Sequence, residues 1–243
     1  MRTRARYWNA RQPTLVTYTI MAVNAAVFVW MAAANSANVG MGGRITYQQA
    51  LLGLGDNLGV RTDDNRIVIV ELHEQWYRLV SSGFLHYGII HIAFNMILLF
   101  QLGQLLEPAI GRVRFGLVYL AALLGGSAGG LLLEPNGLHG GASGAVFGLL
   151  GAAAIMLLQR GINPLTTSIG SVIMLNLLIT FSLRDQISVG GHLGGLAAGA
   201  AAGWFVSAPR HHRIPTWLSY AAPVAVAIAA VVLAVVVTDG SPG

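Results

Sequence analysis

Seven long apolar stretches are the feature that most constrains how this chain can fold. Each holds close to the ~20 mostly apolar residues that a helix needs to cross the hydrocarbon core of a bilayer. They run approximately over Leu15–Ala34, Phe84–Leu106, Phe115–Leu133, Ala142–Leu158, Leu165–Leu183, Ser188–Val206 and Trp217–Val237. Backbone polar groups inside a bilayer must bond within the chain, which makes such stretches helical. The sequence therefore predicts an all-α, polytopic membrane bundle of about seven transmembrane helices.

The composition agrees with a multi-pass membrane protein and excludes other classes. Of the 243 residues, 55% are hydrophobic and 9% are charged, whereas soluble domains carry roughly 25% charged residues. Cysteine is absent, which excludes disulfides, thiolate metal sites and a cysteine nucleophile. The 14 basic residues are all arginines, spread over short loops without a basic stripe. We therefore expect a lipid bilayer as surroundings and no nucleic-acid partner.

The arginines also predict the orientation of the chain. Nine of the 14 lie in the N-terminal arm or in loops on the same side of the membrane. Positive residues favour the cytoplasmic side, so we expect a protein of the plasma membrane with a cytoplasmic N-terminus. The compact, Ala- and Gly-rich chain suggests a bacterial source. The first apolar stretch resembles a signal peptide that ends at Ala32–Ala34, but its core is longer than usual, which favours retention.

The order of the stretches predicts three parts. Residues 1–14 form a cytoplasmic arm, residues 15–206 a six-helix core with an outer loop at 35–75, and residues 207–243 an inner turn with a seventh helix and a short tail. Within the loop, Ile67–Val70 could be a short strand or an interfacial patch. Trp76, Tyr77 and Arg78 resemble an interfacial anchor before the second helix.

Ser143 is a hydroxyl among glycines at the start of the fourth stretch. Glycines four residues apart recur in the fourth and sixth stretches, at Gly140, Gly144 and Gly148 and at Gly191, Gly195, Gly199 and Gly203. Small residues at this interval share a helical face and let two helices approach closely in lipid. If these glycines serve only the packing of the helices, the Ser143 hydroxyl has no catalytic role.

His192 favours a catalytic interpretation of Ser143. Both residues are expected at the outward ends of their helices, and packing of the fourth helix on the sixth would bring the imidazole to the hydroxyl. A serine becomes a good nucleophile when a neighbouring imidazole takes its proton. No Asp or Glu lies mid-span beside them, so a hydrolase would use a Ser–His dyad. Phe147 could pack on the His192 ring or face lipid.

The second stretch contributes a third polar group, His86, His91 and Asn95. His91 and Asn95 are four residues apart and share a helical face, with His86 about a turn higher. The Asn95 amide, an N–H of His91 and the backbone N–H of Ser143 are suitable donors to an oxyanion. The same side chains could instead form a polar network that holds the helices together.

In this order and on these stretches, the motifs resemble those of the rhomboid family of intramembrane serine proteases. The matching pieces are Trp76, Arg78, His86, His91, Asn95, Leu102–Glu107, Gly141–Gly144 and Gly191–Gly195. The resemblance covers roughly Trp76 to Trp204, with the first stretch in its expected place.

The resemblance implies a role for each matching residue. Ser143 would be the nucleophile and His192 the general base and acid. His91, Asn95 and the Ser143 backbone would form the oxyanion hole, and His86 would support a water-filled mouth. Arg78 and Glu107 would be structural, and Phe147 stands where the family often has tyrosine. The substrate would be another protein's transmembrane helix, cut near its outer end, with no cofactor and no metal.

Other membrane functions fit the sequence less well. A zinc protease needs His-Glu-x-x-His within a span, and the one His-Glu pair, His73–Glu74, falls in a loop. An aspartyl protease needs two aspartates inside the spans, and none is found there. A transporter is disfavoured because no span carries a charge. A non-catalytic rhomboid-like binder of transmembrane clients is the main alternative, although such proteins usually lack the nucleophile or the base.

Overall fold

The computed structural model of the chain describes residues 14–34, 54–55, 58–61, 66–70, 75–207 and 214–239. Its long helices in these ranges are α1 (Leu15–Ala34), α2 (Ile89–Ile110), α3 (Arg112–Leu133), α4 (Ser143–Leu158), α5 (Ser168–Ser182), α6 (Val189–Ser207) and α7 (Leu218–Asp239). Among them α1, α2, α3 and α7 are long and apolar enough to cross a membrane, while α4 and α5 are apolar but shorter. The predicted helical membrane bundle is confirmed.

The second helix differs from its predicted bounds at both ends. It begins at Ile89, after Gly88 with φ 152°, so His86 lies in the preceding segment rather than within the helix. At the other end it continues through Pro108 to Ile110. The chain then reverses at Gly111, whose φ of 89° is a left-handed conformation that favours glycine. The third helix therefore begins at Arg112, earlier than the predicted Phe115.

A short hairpin precedes the second helix. Strands β1 (Leu58–Arg61) and β2 (Ile67–Val70) pair antiparallel, with Leu58 opposite Val70 and Arg61 opposite Ile67. This confirms the strand alternative for the stretch that the sequence left open. Much of the predicted outer loop at 35–75, residues 1–13 and residues 208–213 lie outside the described residues, so the three-part division stays a prediction.

Helix α6 packs against both α3 and α4, with close approach of the backbones at each contact. A Cβ added at Gly125 of α3 would lie 2.9 Å from the Gly194 carbonyl oxygen, and one added at Gly144 of α4 would lie 3.2 Å from that of Gly191. Helices α3 and α4 also meet directly, because a Cβ at Gly126 would lie 3.1 Å from Gly144 Cα. The close approach of α4 and α6 that the glycine pattern predicted is thus confirmed. The structure adds that α3 takes part in the same contact.

One member of the predicted glycine face is not on it. Helix α4 begins at Ser143, so Gly140 belongs to the preceding loop. There, a Cβ on Gly140 would lie 3.0 Å from the Tyr87 Cζ and 3.1 Å from the Leu85 Cβ. Gly140 therefore packs against the segment before α2 rather than against α6. Residue spacing alone could not show where the helix starts.

Two carboxylates, the buried Glu107 and the partly exposed Glu134, hold the starts of helices in place. Glu107 of α2 is 2% exposed and accepts hydrogen bonds from the backbone N–H groups of Val16 (3.0 Å) and Thr17 (2.8 Å). It thereby caps the first turn of α1, where backbone donors have no partner within the helix. Glu134, just after α3, accepts from the Ser188 hydroxyl (2.6 Å) and from the Val189 N–H (3.0 Å) at the start of α6.

His139 stabilises the loop that leads into α4 by hydrogen bonds. Its backbone N–H donates to the Leu54 carbonyl (2.6 Å), and its Nε2 lies 2.7 Å from the Glu134 backbone oxygen. Burial lowers the pKa of the His139 imidazole, outweighing the opposite effect of nearby Glu134. The ring is therefore neutral at pH 7 and donates Nε2–H to that carbonyl oxygen.

Candidate active site

Ser143 is the first residue of α4, directly after a sharp turn. Gly141 has φ 122°, which only glycine adopts easily, and its N–H donates to the Ser82 carbonyl oxygen (2.8 Å). The first backbone N–H groups of a helix have no partner inside it. Ser143 is partly exposed and thus lies among backbone donors that have no partner within the helix.

His192 lies in the first turn of α6 and stacks on a ring of α4. The centroids of the His192 and Phe147 rings are 4.0 Å apart, with 17° between their planes. Phe147 is 2% exposed, so it packs against the histidine and does not face lipid. Since Phe147 is four residues after Ser143, the two side chains share a face of α4. The imidazole therefore lies over the face of α4 that carries the hydroxyl.

A threonine of α5 that was not predicted from the sequence contacts a nitrogen at the edge of the same imidazole. The Thr180 Oγ1 lies 2.7 Å from His192 Nδ1 and donates its hydrogen to the Asn176 carbonyl oxygen, also at 2.7 Å. The available signal was the four-residue spacing of Asn176 and Thr180, which places two polar side chains on one face of an apolar helix.

Packing of α6 on α4 does not join Ser143 to His192 by a hydrogen bond in this conformation. Within the described ranges, the Ser143 hydroxyl has no hydrogen-bond partner. Catalytic hydrogen bonds are often long in free enzymes and shorten when substrate binds. The structure thus shows a shared face and a stacked ring, with the hydroxyl still unpaired.

His91 faces the turn before Ser143. The Tyr87 N–H points at His91 Nδ1 over 3.4 Å, which leaves the ring hydrogen on Nε2. A Cβ added at Gly141 would lie 2.8 Å from that Nε2, so the imidazole edge occupies the space where a side chain on residue 141 would lie. An N–H of His91 is therefore directed at the turn that holds Ser143.

Asn95 and His86 complete the group from the second stretch. Asn95 is 5% exposed and uses one amide hydrogen on the His91 carbonyl oxygen (3.0 Å), which leaves its second hydrogen available. The His86 ring packs edge-on against His91, with centroids 5.0 Å apart, and its Nδ1 lies 3.3 Å from the Phe84 oxygen. The five predicted polar residues of the site, Ser143, His192, His91, Asn95 and His86, thus come from three helices and one loop to one end of the bundle.

These groups suit acyl transfer. No three histidine, aspartate or glutamate side chains in the described part of the chain lie close enough together to hold a metal ion. A hydroxyl, a neutral imidazole and several N–H donors are what a serine hydrolase requires.

Comparison with known proteins supports this assignment at the level of the family. The Rhomboid domain model matches residues 73–209. The chain is 37% identical over 139 residues to the Rhomboid protease GluP of Bacillus subtilis, covering 56% of this chain and 27% of that protein. It is 33% identical over 148 residues to RHOMBOID-like protein 1 of Arabidopsis thaliana, covering 59% of this chain and 38% of that protein.

A shorter relative matches this chain at a similar level of sequence identity. The Putative rhomboid protease YdcA of Bacillus subtilis is 35% identical over 130 residues, which is 51% of this chain and 64% of that protein. The matches to the three relatives span from about a quarter to under two thirds of their lengths. The family model spans more than half of the chain, and the matched segment contains α2 to α6 with Ser143 and His192. This chain therefore belongs to the rhomboid family.

Proposed function

We propose that this chain is an intramembrane serine endopeptidase that cleaves transmembrane protein substrates with a dyad of Ser143 and His192. The observation that carries the proposal is the stacking of the His192 ring on Phe147 at 4.0 Å, one turn after Ser143 on the same face of α4. A stacked imidazole beside a serine at a helix N-terminus has the parts that activate a hydroxyl in serine hydrolases.

The length of α4 supports a reaction below the membrane surface. Its 16 residues span about 24 Å, whereas the hydrocarbon core is about 30 Å thick. If the C-terminal end of α4 lies at one membrane interface, its N-terminal end lies inside the hydrocarbon layer. With a cytoplasmic N-terminus, that end is closer to the outer face, and we propose that substrates are cut near this face.

The reaction follows from the positions of the groups. The Ser143 oxygen attacks the scissile carbonyl carbon, and its proton passes to His192 Nε2. The Ser143 N–H, Asn95 and His91 donate to the oxyanion that forms. His192 then returns the proton to the leaving amine, and water hydrolyses the acyl-enzyme with His192 again as base.

The substrate must enter from the side, because it is itself a membrane helix. Of the 15 residues of α5, only Gly170 and Thr180 are buried, so this helix is the most loosely held element beside the site. We propose α5 as the entry side. A helical carbonyl is already hydrogen-bonded, so segments weakened by glycine or proline should be the preferred substrates.

Covalent labelling tests the proposed nucleophile directly. A fluorophosphonate should modify the purified wild-type protein at Ser143, identified by mass spectrometry of the labelled peptide. His192→Ala should label far more slowly, and Ser143→Ala not at all. Ser207→Ala is the control, since Ser207 donates to the Gly203 carbonyl at the opposite end of α6 and should leave labelling unchanged. Labelling confined to another residue would contradict the assignment.

Asn95→Ala should lower kcat by about 10²–10³-fold with little change in KM, because an oxyanion-hole donor acts mainly in the transition state. The measurement is cleavage kinetics of a transmembrane reporter in liposomes. Asn24→Ala is the matched control, because Asn24 is also buried and also donates to a carbonyl one turn earlier, in α1. Equal turnover by Asn95→Ala and wild type would remove Asn95 from the oxyanion hole.

A further inference from the structure

Thr180 is the one buried residue by which α5 reaches the candidate base. Its neighbours along α5 are largely exposed, and the other buried residue of the helix, Gly170, packs against Pro164 and Leu165 of the preceding turn. Thr180 is 1% exposed and lies against His192, which is 7% exposed. A buried hydroxyl that contacts an imidazole ring nitrogen affects where the ring carries its hydrogen.

The two contacts of Thr180 define the direction of the bond to His192. A hydroxyl has a single hydrogen and can also accept. Thr180 directs that hydrogen to the Asn176 carbonyl oxygen at 2.7 Å, a bond within the same helix. Its oxygen is then an acceptor, so the 2.7 Å contact requires a hydrogen on His192 Nδ1. The lone pair of the neutral ring is left on Nε2.

We infer that Thr180 is a positioning residue that holds His192 in the tautomer that can act as a base. Phe147 fixes the plane of the ring by stacking, and Thr180 fixes which nitrogen carries the hydrogen and the rotation of the ring within that plane. This inference rests on the proposed function, in which Nε2 takes the proton of Ser143. The hydroxyl occupies the place that a carboxylate holds in a Ser-His-Asp triad, without its charge.

Kinetics of three variants test the role. Thr180→Val keeps the shape of the side chain and removes the hydroxyl, and it should lower kcat about 10–100-fold with KM nearly unchanged. This loss is smaller than the roughly 10⁴-fold loss known for a wrong tautomer in a triad. The reason is that stacking on Phe147 still orients the ring. Thr180→Ser should recover most of the activity. Thr238→Val is the matched control, since Thr238 makes the same bond to a carbonyl one turn earlier, in α7. Activity of Thr180→Val equal to that of Thr238→Val would overturn the inference.

A spectroscopic measurement tests the same point without catalysis. In ¹⁵N-histidine NMR spectra of the Ser143→Ala protein, the His192 resonances should show the hydrogen on Nδ1, assigned by comparison with a His192→Gln variant. Adding Thr180→Val should move the population toward Nε2–H, and adding Thr180→Ser should not. A ring with its hydrogen on Nε2 when Thr180 is intact would overturn the inference.

The two readouts separate failure of this inference from failure of the proposed function. If the wild-type chain neither cleaves reporters nor reacts with a fluorophosphonate, the protease assignment fails, and the NMR spectra still report whether Thr180 sets the tautomer. The chain could instead cleave reporters and react with the fluorophosphonate, while neither the kinetics nor the tautomer of His192 responds to Thr180→Val. That result would support the dyad of Ser143 and His192 and exclude the positioning role of Thr180.

Discussion

Ser143→Ala and His192→Ala should each reduce cleavage of a transmembrane reporter by at least about 10⁴-fold, because nucleophile and base act as one unit. The hydroxyl forms the acyl bond, and without the imidazole it stays protonated at neutral pH. The measurement is product formation by purified protein in liposomes, with a reporter whose membrane segment contains glycine or proline near its outer end.

The double variant distinguishes a dyad from two separate contributions. Ser143→Ala/His192→Ala should be no less active than either single variant, since removing one partner already disables the other. Ser207→Ala serves as the control for loss of a serine hydroxyl. Cleavage by Ser143→Ala at the wild-type rate would exclude Ser143 as the nucleophile. A wild-type protein that binds the reporter without ever cleaving it would instead favour a non-catalytic binder of transmembrane clients.

Gly195→Leu should abolish cleavage and lower the thermal stability of the protein in detergent. A Cβ at Gly195 would lie 2.7 Å from the carbonyl carbon of Gly144 and 3.0 Å from its Cα, and it would overlap the Gly144 oxygen. These are backbone atoms of the residue after Ser143, so they cannot rotate away as a side chain would. The leucine must push α6 away from α4 and separate His192 from the face that carries Ser143.

A pair of alanine variants isolates this effect from helix propensity. Gly195→Ala should already lose most activity, because its single methyl meets the Gly144 backbone. Gly116→Ala in α3 is the matched control, since among the described residues a Cβ there meets only a Val16 methyl at 3.7 Å, an ordinary contact. That variant should be as stable as wild type or more so, given that alanine favours a helix by about 1 kcal/mol over glycine. Full activity of Gly195→Leu would contradict the role of close packing.

The sequence predicted several features that the structure confirms. The bounds of α1 agree with the predicted stretch, and the glycine spacing predicted that α6 packs on α4. For Phe147 the sequence left two alternatives open, and the structure shows the one in which it stacks on His192. The roles of Ser143, His192, His91 and Asn95 remain predictions that the variants above address.

Other features depended on contacts between distant parts of the chain. Glu107 could be recognised as structural, but its bonds to the start of α1 join residues about 90 positions apart. The same holds for Glu134 at the start of α6, and for Thr180, whose partner lies on the next helix. No local pattern identifies such partners, because they depend on how the helices are arranged.

By itself, the sequence determined that the chain is a bundle of membrane helices, because apolar stretches of spanning length leave backbone groups no alternative inside lipid. It also determined that α4 and α6 approach closely, because glycines four residues apart leave one face without side chains, whereas the part that α3 takes in this contact came from the tertiary structure. The tertiary structure alone decided that α2 begins after His86 and α4 after Gly140, which placed both residues in loops. It also decided the orientation of the His192 ring, because that depends on Phe147 and Thr180 meeting it from two other helices.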